Sequence, residues 1–288
     1  MAEHIELLDL PKDHLSTTSR RMYLRCPRQF WFRYVEGQKM APDSPLVLGV
    51  GVHGSLAHAF ALQCRTGRHP ATSKITDHFA ASLPQKIREM QEMAGTEMER
   101  KDGDTDAKLK DDGVRMIQLY DKEVGAKLQP ERVEAEGLVN ITAGTAGTFK
   151  LVVKVDLRTA RGAIIDYKTT KKRKPEGEAL WDSQLTAENL VERKAGRKVK
   201  QLEMHVIGRQ KKGPFYQVLT SAPRTDEQVQ DLLQSFAEVA TAIRAGIFPK
   251  TDNLQQTCSW CGFRKLCRPE YARWLEQNKA AKLAAEDE

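Results

Sequence analysis

Apolar positions change their period several times along the chain. From Leu46 to Cys64 they recur at helical spacing behind the glycine-rich entry Leu48-Gly49-Val50-Gly51, which predicts a helix. Residues 74–129 read as largely helical and polar, broken by a charge-dense stretch at 95–113 that reads as a solvated loop. The aspartates of that loop resemble part of a calcium loop but lack its downstream glutamate. Near Val133 the period shortens to two, predicting strands at 134–143, 149–156 and 163–169. Helical spacing returns at 181–194, and two further strands, 199–208 and 215–220, flank the basic turn 209–213. Thr225 caps an amphipathic helix over 226–245, stopped by Gly246 and Pro249. At the N-terminal side, residues 1–15 read as a loose lead-in, and Ser16-Thr17-Thr18-Ser19 offers caps for a helix over 20–35; a last helix is predicted over 269–285. There is no internal repeat. Helices, three strands, a helix, two strands and a helix make an α/β core wrapped by an N-terminal helical region. The expected organisation is one domain over 1–288, mainly helical at 16–130, with a core at 131–225 and a helix-plus-cysteine segment at 226–288.

Composition narrows the class. The chain has 288 residues, 40% hydrophobic and 30% charged, as an ordered globular protein does. No apolar run approaches the roughly 20 residues of a membrane span, and Met1 to Leu10 carries acids but no apolar signal core. The net charge of +7 favours a polyanionic partner. No Walker-type phosphate loop is present, so the chemistry expected is independent of ATP.

The stretch from Leu151 to Thr170 concentrates that chemistry. Asp156 closes one β-branched run, and Asp166 and Lys168 sit two residues apart in the next. Side chains at i and i+2 of a strand share a face, so Asp166 and Lys168 point together while Tyr167 points away. Both acids follow runs typical of strands covered on both faces, where a carboxylate is costly unless paired or bound to metal. Two acids and an amine at a strand end suit a divalent ion and an activated water. Lys171-Lys172-Arg173-Lys174 follows directly, a basic run that reads as a solvated loop by itself and as a phosphate contact beside such a site. Further basic residues lie at 193–200 and 209–212. Aromatics near Trp31 and Trp181 can stack bases, although packing accounts equally for the segment around Phe30 and Trp31.

Five cysteines, with no secretion signal, argue against a disulfide scaffold. Cys258, Cys261 and Cys267 form a C-x2-C-x5-C unit, one thiolate short of the usual four. Cys26, before Pro27 in an aromatic segment, is the better fourth; Cys64, at the end of an apolar helix, reads as an ordinary thiol. The lopsided spacing favours an iron–sulfur cluster over zinc.

An early cysteine, a G-x3-H element, the acid strands, a glutamine helix and the cysteine trio occur in an order that resembles the RecB-like branch of the PD-(D/E)XK nucleases. In particular it is similar to the iron–sulfur exonucleases that include the CRISPR-adaptation nuclease and the nuclease module of bacterial AddB. The resemblance implies a restriction-endonuclease-like mixed sheet flanked by helices, with a C-terminal iron–sulfur segment. It makes His53, of Gly49-x3-His53, a metal ligand together with Asp156, Asp166 and the Tyr167 backbone carbonyl, for Mg²⁺ or Mn²⁺. Asp166-Tyr167-Lys168 matches the D-x-K motif, and Gln184-Leu185 the start of a Q-x3-Y helix in which Glu188 stands where tyrosine is expected. Cys26, Cys258, Cys261 and Cys267 match the ligands of a [4Fe–4S] cluster. The function implied is an ATP-independent DNA exonuclease acting on single strands or free ends. It would serve recombination, repair or CRISPR adaptation, alongside proteins of those processes, in the cytoplasm of a bacterium or of a phage's host. The alternative is a DNA-binding accessory protein that does not cut, held by a structural cluster or by zinc.

Overall fold

The computed structural model of the chain describes residues 8–101, 103–143 and 147–286, so part of the lead-in read over 1–15 lies outside the described residues. The elements are β1 (His14–Leu15), α1 (Thr17–Arg25), α2 (Pro27–Phe30) with a π-helical turn (Trp31–Val35), α3 (Ser44–Thr66), α4 (Thr72–Ala94) and α5 (Asp106–Glu123). They continue with β2 (Pro130–Ala143), β3 (Gly147–Thr159), β4 (Ala163–Thr170), α6 (Glu178–Trp181), α7 (Ser183–Lys194), β5 (Gln201–Gln210), β6 (Gly213–Ser221), α8 (Asp226–Arg244), α9 (Arg264–Cys267) and α10 (Pro269–Glu286). Two compact units divide them: Met1–Met40 with Thr142–Phe149 and Phe236–Glu288, and Ala41–Ile141 with Lys150–Ser235.

The second unit carries a mixed sheet. β3 and β4 are antiparallel, with Leu157 opposite Ile165. β4 and β5 are parallel in register from Ala163–Gln201 to Thr170–Gly208, the crossover running through α6 and α7. β5 and β6 form an antiparallel hairpin, and β2 pairs with β3. A hydrophobic layer of α3, α4 and α5 covers one face and takes Leu157, Ile165, Tyr167 and Ile207 from the strands. The alternate residues Ile164, Asp166 and Lys168 therefore face the side on which α7 packs. Cover on both faces explains why β4 begins as the unbroken run Ala163-Ile164-Ile165.

α3 corrects one expectation. Over 18 residues its mean hydropathy is 1.4, long and apolar enough by composition to cross a membrane, yet half of that window is buried inside the protein. Val47, Val52, Leu56 and Phe60 are among its buried residues, and they belong to the core layer shared with α4 and α5.

The stretch read as a solvated loop is also corrected. α5 begins at Asp106, and Asp104 and Asp112 are buried. Arg209, expected in a basic turn, belongs instead to β5; its Nη1 donates to Asp112 at 2.6 Å and its Nη2 to Asp104 at 2.5 Å. Ser44 at the start of α3 donates to the same Asp104 oxygen at 2.7 Å. Charges so dense look like solvated surface in sequence; their mates lie about a hundred residues away.

In the first unit Ser16 caps α1 through a reciprocal capping box with Ser19. The helix expected over 20–35 breaks at Cys26. A residue before proline is pushed out of the helical region, and Cys26 has φ −162° and ψ 106°. Tyr23, Phe30, Tyr34 and Phe248 then form an aromatic cluster, with the Tyr23 hydroxyl donating to the Ile247 carbonyl at 2.6 Å.

Removing one side of a buried ion pair leaves charge without a partner, at a cost of about 3–5 kcal/mol. Arg209→Ala is therefore expected to lower stability by that amount in urea unfolding. Lys211→Ala, at an exposed position, should stay within about 0.5 kcal/mol of wild type.

Candidate active site

The second unit brings together His53 from α3, Asp156 from β3, Asp166 and Lys168 from β4, and Gln184 and Glu188 from α7. Gly49 sets the approach of α3. A Cβ there would stand 2.6 Å from Thr169 Oγ1 of β4, so glycine lets the helix lie against the strand and delivers His53, one turn further on, beside the acids. His53 Nδ1 is 3.8 Å from Asp156 Oδ2, and its ring stands edge-on to Tyr167 at 5.8 Å between centroids. Burial lowers the His53 pKa to about 4, outweighing the pull of Asp166. The imidazole is thus neutral near pH 7, the form that can ligate a metal.

Asp156 Oδ2 accepts the backbone N–H of Tyr167 at 3.0 Å, stapling β3 to β4 beside the site. Asp166 is 3% exposed, and Lys168 Nζ lies 2.7 Å from its Oδ1 and 2.6 Å from its Oδ2. Burial raises Asp166 to about 6, with Lys168 opposing the shift and Asp156 adding to it. Burial likewise raises Asp156. Burial pulls Lys168 down, but Asp166 more than offsets it and the net direction is up. Tyr167 turns the other way, as the strand period requires. Its ring packs edge-on against Tyr120 and His205. The Tyr120 hydroxyl lies 2.6 Å from His205 Nδ1, and His205 Nε2 lies 2.7 Å from Glu203. This buried polar chain braces the residue between the two site residues of β4.

The unforeseen member is Glu188. Asp182 caps α7 by accepting the backbone N–H groups of Gln184 and Leu185. One turn on, Gln184 Nε2 donates to Glu188 Oε1 at 2.9 Å. Glu188 is 0% exposed, and its Oε2 has no hydrogen-bond partner. Burial, then repulsion from Asp166 and Asp156, pushes its pKa well above the ordinary glutamate value. Its place in the Q-x3-Y pattern is the one signal of it in the sequence.

No three His, Cys, Asp or Glu side chains among the described residues stand together as a metal cage; the oxygens of Asp166 face the Lys168 ammonium. The residues nevertheless fit a divalent cation. Asp156 and Asp166 offer carboxyl oxygens and His53 a neutral imidazole, a donor set that suits a hard divalent cation, and burial favours the neutral form of the acids in its absence.

The basic run is partly committed within the chain. Arg173 donates to the Tyr216 carbonyl and stacks on Phe215, and Lys174 pairs with Glu178 at 2.9 Å. Lys172 is exposed. Trp181 is 79% exposed, whereas Trp31, in the first unit, is half-buried with Arg28 over its ring. Also in the first unit, Cys26, Cys258, Cys261 and Cys267 line one small pocket with Phe32 and Phe263. Burial raises the Cys258 and Cys261 thiols, and the neighbouring Cys26 and Cys267 add to both shifts. Cys64 is exposed on α3 of the second unit.

Asp156 on β3 and Asp166 and Lys168 on β4 thus meet at one junction of a mixed sheet. Residues 14–268 match the PD-(D/E)XK nuclease superfamily, and the chain belongs to it. Its nucleases typically use Mg²⁺ or Mn²⁺, and membership makes the chain a phosphodiester hydrolase. The fold is similar to the crystal structure of an exonuclease candidate from Eubacterium rectale, at TM-score 0.50 and 14% identity, covering 86% of this chain and 87% of that one. The structure named SSO0001 matches at TM-score 0.41 and 12% identity over 89% of this chain and 87% of its own, too distant to bear on the reading. No protein of curated function matches.

A buried glutamate held neutral loses ground as pH rises, because the unfolded chain ionises first. Glu188→Gln keeps the shape and the bond from Gln184. It should match wild-type stability near pH 4.5 and exceed it by about 1–3 kcal/mol at pH 8 in metal-free buffer, as read by urea unfolding at both pH values.

Proposed function

We propose that this chain is a DNA exonuclease that degrades single strands from free ends with Mg²⁺ or Mn²⁺ and without ATP. The observation that carries the reading is the buried pair Asp166–Lys168 on β4, with Asp156 and a neutral His53 beside it. Asp156, Asp166, His53 and the Tyr167 carbonyl would hold the ion, which when bound neutralises phosphate charge and makes its water more acidic. Lys168, a compact ammonium on a flexible stem, would stabilise the negative charge that develops on the scissile phosphate or orient the attacking water. Gln184 fixes Glu188 and with it the α7 wall of the site. Lys171 to Lys174 and the basic residues at 193–200 follow the DNA backbone, and Trp181 offers a stacking face to an unpaired base. Arg209 leaves this set, being buried with Asp104 and Asp112.

Cys26, Cys258, Cys261 and Cys267 would hold a [4Fe–4S] cluster with a structural role. The donor set is four thiols that line one pocket with Phe32 and Phe263, the number of thiolates such a cluster takes. Recombination, repair and CRISPR adaptation each supply such DNA ends.

End-labelled single-stranded DNA with Mn²⁺ tests the activity. The wild type should release nucleotides from an end and stop with EDTA. Asp166→Ala should cut at least about 10³-fold more slowly while retaining its fold by circular dichroism; full activity in that variant refutes the site. For the cluster, anaerobically purified protein should be brown and hold about four irons. Cys258→Ser should lose colour and iron, and zinc in their place refutes the cluster.

A further inference from the structure

Two buried donors stand without acceptors at the cysteine pocket of the first unit. Arg264 and Arg268 line that pocket with Cys26, Cys258, Cys261 and Cys267. The Nε–H of each arginine is buried and has no hydrogen-bond partner. A buried donor left open is costly, so it points to an acceptor that the polypeptide itself does not supply.

Local structure explains why both arginines are there. α9 is a single turn, closed by the Arg268 amide donating to the Arg264 carbonyl at 2.8 Å. Arg264, Cys267 and Arg268 stand at i, i+3 and i+4, which gathers two guanidinium groups and a thiol on one side of the turn. The Arg264 amide donates to the Cys261 carbonyl at 3.2 Å and ties the turn to a second cysteine. Both guanidinium groups are anchored through Nη. Arg264 Nη1 donates to the Ser259 carbonyl at 2.6 Å and Arg268 Nη2 to the Thr251 carbonyl at 2.9 Å; exposed Asp252 lies 3.7 Å from that same Arg268 nitrogen. A planar fork held in this way cannot swing its Nε out to solvent.

The chemistry of the missing acceptor follows from its surroundings. A bridging water needs two or more polar partners, and thiols with Phe32 and Phe263 offer it few. Four thiolates around iron and sulfide carry more negative charge than the metal offsets, so such a group is an anion with sulfur acceptors. Guanidinium is always charged and weakly hydrated, which suits a buried anion. Arg268 already opposes the burial that raises the Cys258 thiol.

Resting on the cluster reading above, we infer that Arg264 and Arg268 are positioning residues for the cluster, their Nε–H groups donating to its sulfurs. No covalent bond changes and no proton is transferred. Reduction adds negative charge to the cluster, and donors fixed beside its sulfurs favour the more negative state. The pair therefore raises the reduction potential as well as balancing the charge of the buried group.

The test is a redox titration of the anaerobically purified full chain, followed by visible absorbance. Arg264→Gln and Arg268→Gln should each move the midpoint to a more negative potential by about 60 mV, a tenfold change in a one-electron equilibrium constant. Arg268→Lys keeps the charge and lacks the Nε–H, so it should recover part of that shift at most. Unchanged midpoints in both glutamine variants overturn the inference, as does full recovery in Arg268→Lys. Should the glutamine variants not retain iron, the wild type decides. Pulsed electron paramagnetic resonance of its reduced cluster, with isotope-labelled arginine, should show coupling to arginine nitrogen that the double lysine variant of Arg264 and Arg268 loses; no coupling in the wild type overturns the inference. A wild type that holds zinc or no iron overturns the cluster reading and this inference together, whereas the other failures overturn the inference alone.

Discussion

A carboxylate on a strand covered on both faces is the constraint on which the site rests. Asp166 is there because β4 runs between a three-helix layer and α7, so the side chain cannot reach bulk water. Everything near it answers to that burial. Lys168 shares its face by strand period, Asp156 is held at its flank by the Tyr167 amide, and Glu188 closes the α7 side. Each group is shifted in the direction that suppresses charge, apart from the lysine that Asp166 keeps protonated. Apolar packing alone would tolerate none of these residues. Their presence together makes the interior of the sheet a place where charge must be supplied from outside.

Much of this is legible in the order of the amino acids. Strand period puts Asp166 and Lys168 on one face and Tyr167 on the other. The run Ala163-Ile164-Ile165 announces cover on both sides. Helix ends are signalled by local chemistry, such as the Ser16 box, the Thr225 cap and the Gly246 stop after α8. What is not legible depends on distant partners. Asp104, Asp112 and Arg209 each look like surface charge, and only the packing of α5 on the sheet turns them inward. Tyr120 and His205 of the buried polar chain are 85 residues apart in sequence, too far for any local pattern to link them. Glu188 is visible only as a mismatch, since no local rule says which way a glutamate in α7 points.

The break at Cys26 shows the same division at smaller scale. Pro27 predicts that its predecessor leaves the helical region, and Cys26 does so. That single extended residue separates two short helices and turns one thiol into a pocket that three others also line. The aromatic residues that read either as base-stacking or as packing divide accordingly. Phe30 and Phe32 are core, and Trp31 lies half-open under Arg28.

The Arg209 clasp has a consequence for how the chain reaches its fold. Its partners lie 97 and 105 residues upstream, so the helical layer can assemble from local contacts long before β5 arrives. Within that layer Lys108 lies 3.5 Å from Asp104 and Arg115 pairs with Asp112, and Arg209 is the cation that reaches both acids at once. A slip of β5 by one residue against β4 would flip Arg209 to the opposite face and His205 with it, taking the guanidinium from Asp104 and Asp112 and the imidazole from Tyr120. Correct alignment of the parallel pair is thus checked by charge at one end of the strand and by a hydrogen bond at its middle. Only the right register makes both contacts at once, and both lie on the face of the sheet turned away from Asp166 and Lys168.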